Sequence, residues 1–207
     1  MSRPLLIATT NAGKLREIRE LLAGVPFDVR ALEPGGAIEP PEETGTTFEE
    51  NARQKALYYA RATGLLTVGE DSGLEIDALD RRPGVHSARY PGADYRERFR
   101  NLWREIRESG RPERTARFVC AVALAAPDGI LFETRGVVEG EIVEEPRGAA
   151  GFGYDPIFFY PPFGATLAEV DQARKAEVSH RGAAFRVLRE HLLTHADRYQ
   201  LPAPDRR

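Results

Sequence analysis

The chain has 207 residues, of which 42% are hydrophobic and 29% charged, and a formal net charge of −3. That length accommodates one large domain or two small lobes around a sizeable core. The acidic balance argues against a general nucleic-acid binder, which carries a basic surplus. Cys120 stands alone inside an apolar run, which excludes a disulfide framework and predicts a buried, inert thiol. The first apolar run is too short for a signal peptide or a membrane span, so a soluble, cytoplasmic protein without a membrane partner is expected.

The first unit reads as strand, loop and helix. Residues 5–9 form an apolar strand, and Leu15, Ile18, Leu21 and Leu22 recur at helical spacing until Gly24. Residues 27–32 predict a second strand, followed by a Pro/Gly/Glu-rich loop through Gly45. Thr47-Phe48-Glu49-Glu50 is a capping box, with Thr47 as N-cap and Glu50 three residues on. The helix it opens carries Phe48, Ala52, Ala56, Leu57 and Ala60 on one face and ends at Gly64.

Residues 65–68 and 74–79 read as short strands flanking Gly69-Glu70-Asp71-Ser72-Gly73. A third helix over 94–108 buries Tyr95, Phe99, Leu102, Trp103 and Ile106. Residues 117–126 and 130–143 predict a long hairpin across Pro127-Asp128-Gly129. A Gly-rich loop at 148–155 precedes another apolar segment, and a last helix starts near Ser179 and buries Phe185, Leu188 and Leu192. The alternation gives a mixed α/β protein with an extended central sheet, and no linker divides residues 1–207.

Cations are written almost entirely as arginine, with three lysines against 26 arginines. Lysine is a compact, flexible point charge and arginine a planar fork, so Lys14, Lys55 and Lys175 mark places where an ammonium is wanted. Lys14 closes the run Thr9-Thr10-Asn11-Ala12-Gly13-Lys14 between a strand end and a helix N-terminus, where free N–H groups and the helix dipole favour an anion. It is not a Walker A loop, because Ala8 replaces the first Gly and Leu15 the Ser or Thr that binds magnesium. The bland reading is an ordinary strand-to-helix turn.

Glu70 and Asp71 are adjacent carboxylates, and on an extended strand they point to opposite faces. A carboxylate at a sheet crevice is where an α/β enzyme holds Mg²⁺ or deprotonates water; an acidic turn is the bland alternative. Glu42 and Glu43 offer a second magnesium ligand, and a sparse set is adequate because phosphates complete the shell. Gly151-Phe152-Gly153-Tyr154-Asp155-Pro156 combines rings with backbone freedom, which suits stacking on a base and bonding its edge. Ser179 is placed to cap the last helix, with His180 and Arg181 near its N-terminus. His86, His191 and His195 show no metal-ligand spacing with His180, which argues against a zinc role for it.

These blocks, taken in order with Pro83-Gly84-Val85-His86-Ser87-Ala88-Arg89-Tyr90, resemble the Ham1 family of inosine/xanthosine triphosphate pyrophosphatases over all but the tail after about His195. The resemblance implies an elongated two-lobed α/β homodimer with the site in a cleft. It implies Mg²⁺-dependent attack of water on the α-phosphate of a nucleoside triphosphate, releasing monophosphate and pyrophosphate. Asp71 takes the place of the general base and magnesium ligand, with Ser72 beside it as a substrate contact. Thr9, Thr10, Asn11, Ala12, Gly13 and Lys14 become triphosphate and substrate contacts. Phe152, Gly153, Tyr154 and Asp155 become the base loop; Lys175, His180 and Arg181 complete the substrate ligands. The upstream metal carboxylate falls best on Glu42, with Glu43 the alternative, and Glu70 departs from the Asp common at its position. A pyrophosphatase of modified pyrimidine nucleotides and a non-catalytic nucleotide-binding regulator are the competing readings.

Overall fold

The computed structural model describes residues 3–33, 35–36 and 38–199. Seven strands form one mixed sheet in the order β2-β1-β3-β4-β5-β6-β7. Strand β1 (Arg3–Ile7) lies parallel to both β2 (Phe27–Ala31) and β3 (Leu66–Ile76). The remaining neighbours, β4 (Thr115–Ala126), β5 (Gly129–Ile142), β6 (Phe158–Tyr160) and β7 (Ala165–Thr166), pair antiparallel. The helices are α1 (Ala12–Leu21), α2 (Phe48–Thr63), α3 (Tyr95–Glu108), α4 (Gln172–Val178), α5 (His180–Thr194) and α6 (Ala196–Tyr199). The mixed α/β class expected from the pattern is the class observed, and no helix among the described residues is long and apolar enough to cross a membrane.

The period of two along β4 sorts the helices onto faces. Cys120, Val122 and Leu124 pack against Ile18 of α1, Leu22 just after its end, and Phe185, Leu188 and Leu192 of α5. Val119, Ala121, Ala123 and Ala125 pack against Ala52, Ala56 and Ala60 of α2 on the other face. Farther along the same strands, Leu74, Ile76, Ala116, Phe118 and Val138 build a separate core with α3 and Phe158. The stretch Glu70–Gly73 lies between these packing regions, where a cleft opens. Gly136 on β5 sits under the start of α5; a β-carbon there would approach the Ala184 nitrogen to 2.7 Å, so glycine lets the helix N-terminus settle onto the sheet.

Capping chemistry follows the sequence closely. Thr47 and Glu50 form the reciprocal capping box of α2, and Gly64 ends that helix in the left-handed conformation. Asn11, Asp94, Asp171 and Ser179 cap α1, α3, α4 and α5. Three expectations change. The two short strands predicted around residues 69–73 are one continuous eleven-residue strand, so the acidic pair sits inside the sheet. The short helix α4 precedes α5 without having been anticipated. Tyr95, predicted in the buried stripe of α3, is 39% exposed because the first turn projects into the cleft; Phe99, Leu102, Trp103 and Ile106 are buried. Met1, Ser2 and residues 200–207 lie outside the described residues, as do Pro34 and Ala37 of the predicted loop.

Candidate active site

Asp71 and Glu70 point to opposite faces of β3, as extended backbone requires. Asp71 faces α2. Its Oδ2 accepts a hydrogen bond from Asn51 Nδ2 at 3.0 Å and its Oδ1 one from the Ser72 N–H at 3.0 Å. Burial raises its pKa above the ordinary aspartate value, against the opposing pull of Lys55, Lys14 and the Asn51 hydrogen bond. Lys55, one turn after Asn51 on α2, donates to the Glu70 carbonyl at 3.1 Å and pairs with Glu43. Burial alone would depress this ammonium, but Asp71, Glu43 and Glu70 together raise it.

Glu70 faces α1 and α5 and belongs to a chain of alternating charges. Lys14 Nζ lies 3.0 Å from Glu70, Glu70 2.9 Å from Arg181, Arg181 2.6 Å from Glu17, Glu17 2.9 Å from Lys175, and Lys175 2.5 Å from Asp155. Three cations thus alternate with three carboxylates. Buried charges of this kind persist only when paired and hydrogen-bonded. Burial would raise Glu17, yet Arg181 and Lys175 hold it below the ordinary glutamate value. In Glu70 the same contest, with Lys14 and Arg181 as the cations, leaves the carboxyl well below its usual range. Asp155 goes the other way: burial raises it despite Lys175.

One cavity joins Asn11, Lys14, Glu43, Lys55, Asp71 and Ser72 on one side to Phe152, Gly153, Tyr154, Asp155, Lys175, His180 and Arg181 on the other. A contiguous recess adds Thr9, Thr10, Glu42 and Arg89 and shares Asn11, Lys14, Glu43 and Lys55 with the cavity. Most of the residues singled out in the sequence therefore converge. Ala12 and Gly13 line neither space. Among the described residues their first-turn N–H groups have no side-chain acceptor, since the Asn11 cap takes the Lys14 N–H. Of the two carboxylates offered for the metal, Glu43 lines the cavity together with Asp71, and Glu42 lines the recess. Lys55 and Arg89 hold Glu43 there, and although burial would raise its pKa these cations bring it below the ordinary value.

The loop around Phe152–Asp155 is partly self-satisfied. The Phe152 N–H donates to Asp155 Oδ2 at 2.8 Å and the Asp155 N–H to the Phe152 carbonyl at 3.4 Å. Among the described residues, Gly153 and Tyr154 are left with N–H groups free to meet a ligand. Tyr154 is buried and donates its hydroxyl to the Ser87 carbonyl at 2.8 Å, so its ring is a wall of the site. His180 is buried and stacked on Phe118 at 4.8 Å, and its Nδ1 has no hydrogen-bond partner among the described residues. Burial, then the Arg181 and Lys175 charges, keep its pKa well below the ordinary histidine value, so the ring is neutral. Arg181 spends its terminal nitrogens on Glu17, Glu70 and Ser72. Cys120 is buried beside Glu70, and burial together with that carboxylate raises its thiol pKa, as an inert cysteine requires.

Sequence reasoning missed Asn51, Glu17 and the role of Lys55. Asn51 and Lys55 are polar residues one turn apart beside the alanine stripe of α2, and Glu17 follows Lys14 by three on the face that carries Ile18. A polar residue repeating within an apolar face was the signal available.

A sheet crevice where carboxylates, lysines and aromatic rings converge defines an α/β enzyme built to handle a phosphorylated ligand with a ring. A model of the Ham1 family matches residues 5–191. A dITP/XTP pyrophosphatase of Geobacter sulfurreducens is 47% identical over 190 residues, covering 91% of this chain and 96% of its own. One from Gloeobacter violaceus is 50% identical over 188 residues, covering 91% and 93%. The solved structure of a HAM1 protein from Coxiella burnetii superposes with a TM-score of 0.84 at 39% identity, covering 92% of this chain and 98% of that one. The chain belongs to the Ham1 family.

Proposed function

We propose that this protein is a Mg²⁺-dependent nucleoside-triphosphate pyrophosphatase that hydrolyses non-standard purine nucleotides (inosine, deoxyinosine and xanthosine triphosphates) to the monophosphate and pyrophosphate. The observation that carries the reading is the position of Asp71: a buried carboxylate with a raised pKa, facing Lys14 and Lys55 at one end of a cavity whose other end is walled by Phe152 and Tyr154. The relatives named dITP/XTP pyrophosphatase support the same chemistry.

Asp71 and Glu43 are the residues suited to hold Mg²⁺. Both are oxygen donors facing one cavity, and the described residues contain no cluster of three or more His, Cys, Asp or Glu that would make an all-protein cage. Such a sparse acidic set fits a hard cation that takes its other ligands from phosphates and water. When bound, the cation offsets phosphate charge and polarises the phosphorus–oxygen bonds. Asp71 accepts the proton from the attacking water. Lys14 and the first-turn N–H groups of α1 bind phosphate oxygens. Ser72 lies between Asp71 and Arg181 and contacts the substrate. Lys175 and Arg181 act chiefly by fixing Phe152 and Asp155. The working form is a cytoplasmic homodimer.

The test is pyrophosphate release from inosine triphosphate with Mg²⁺. Release that disappears without divalent cation supports the reading. No release from any of a panel of purine and pyrimidine triphosphates would leave the non-catalytic binding module standing. In the same assay Asp71→Asn keeps the shape and removes the charge, and loss of a general base costs about 10²–10⁴ in rate. Wild-type turnover by Asp71→Asn would remove Asp71 from the mechanism.

A further inference from the structure

Asn51 is fully buried, and its amide is satisfied at both ends. Oδ1 accepts the Gly45 N–H at 2.9 Å, and Nδ2 donates to Asp71 Oδ2 at 3.0 Å. A backbone N–H only donates and an ionised carboxylate only accepts, so one orientation of the amide serves both partners.

The Gly45 end belongs to a larger clamp. Thr46 donates its N–H to Glu50 at 2.7 Å, Thr47 donates its own at 3.2 Å, and the Thr44 N–H reaches Gln54 at 3.5 Å. Residues 44–47 are thereby fastened to the first turns of α2, and Glu43, immediately before them, is carried to the cavity wall. The Asp71 end lies in the middle of β3. One side chain therefore links the two segments that supply the carboxylates of the site.

We infer that Asn51 is a positioning residue for this reaction: its amide fixes the Asp71 carboxylate and, through Gly45, the loop that presents Glu43. The inference rests on the proposed roles of Asp71 and Glu43. It concerns geometry, since Asn51 touches neither substrate nor reacting atoms. Partners that orient ligating or catalytic groups typically change affinity or activity by about 10- to 100-fold when removed.

The test uses Asn51→Leu, which keeps the shape without hydrogen bonds, and Asn51→Ser, which is smaller and guards against a variant that fails to fold. Each is compared with wild type and Asp71→Asn for kcat, KM, half-activating Mg²⁺ concentration and Tm. Hydrogen exchange over residues 43–47 is measured in the metal-free protein. The expected result is a fall in kcat of about 10- to 100-fold, little change in KM for inosine triphosphate, a higher Mg²⁺ requirement and faster exchange over 43–47. A kcat within twofold of wild type in both variants, with Asp71→Asn inactive, overturns the inference while the proposed function stands. A loss of kcat fully accounted for by loss of folded protein also overturns it. Full activity of Asp71→Asn strikes the underlying functional reading instead.

Discussion

The Phe152 ring rests on Gly13: a β-carbon at position 13 would lie 2.8 Å from Phe152 Cδ1. Lys175 Nζ and the Arg181 guanidinium sit 5.0 and 5.6 Å from the centre of the same ring. The turn that opens α1 and the loop that walls the far end of the cavity are therefore in direct contact. The missing β-carbon at position 13 is what lets the ring pack there.

Gly13→Ala separates the helix from the ring. Alanine inside a helix gains roughly 0.5–1 kcal/mol over glycine, but here the Phe152 ring must move to admit the methyl. Tm should change little while KM for inosine triphosphate rises severalfold. Unaltered KM with a raised Tm would show that the ring yields at no cost to the site.

The lysine bias separates into two physical cases. Lys14 is partly exposed at the helix start with one ion pair, whereas Lys175 is buried between Glu17 and Asp155. Lys175→Arg forces a larger planar head into a filled site, and overpacking of that kind costs about 1–3 kcal/mol. Lys175→Met removes the charge from a buried pair, which costs about 3–5 kcal/mol. Both should lower Tm, the second more. Lys14→Arg should leave Tm near wild type and weaken nucleotide binding, because a fork replaces a point charge. If Lys14→Arg binds and turns over as wild type does, the lysine at position 14 has no phosphate role.

What was legible in the chain follows the range of the forces involved. Caps are local, so Thr47 and Ser179 announce their helices from the sequence, and Tyr95 shows only that a helical stripe does not say which end of it meets a cleft. The stretch 69–73 reads as a turn because two glycines and two acids are turn chemistry. It is strand because Asn51 and Lys55 meet Asp71 from one face while Lys14 and Arg181 meet Glu70 from the other. Those partners are 16 to 111 residues away along the chain, and no local window contains them. Glu17 was overlooked for the same reason: its partners, Lys175 and Arg181, come from the opposite end of the sequence.

His180 makes stability depend on pH. Its folded pKa is held well below the unfolded value by burial and by the Arg181 and Lys175 charges. Below about pH 6.5 the unfolded chain binds a proton that the folded protein refuses. Stability therefore falls with pH from that point, by up to about 1.4 kcal/mol per pH unit from this group. His180→Phe should remove that one-proton slope between about pH 6.5 and 5, leaving the steeper loss at lower pH where Glu70 and Glu17 are forced to protonate. Denaturant unfolding at several pH values checks this, and an unchanged slope in the variant would show that His180 charges freely in the folded state.

Base selection follows from the donors left in the loop. Hypoxanthine and xanthine carry an oxygen at position 6, and adenine an amino group. With the Phe152 and Asp155 N–H groups occupied within the loop, the Gly153 and Tyr154 N–H groups are the backbone donors available to that oxygen. His180 is neutral, with an unpartnered Nδ1, and adds a side-chain donor or acceptor according to its tautomer. Facing these donors, an adenine amino group leaves them unpaired, and sites built around such a bond reject the wrong partner by roughly 10⁴ or more in favourable cases. Guanine also presents a 6-oxygen, so weaker discrimination is expected against GTP. Specificity constants for inosine, xanthosine, guanosine and adenosine triphosphates test the order. Substituting Gly153 by Ala, at φ +68, should strain the loop and erode the preference more than it lowers Tm. Equal constants for ATP and inosine triphosphate in the wild-type protein would show that the base edge is read elsewhere.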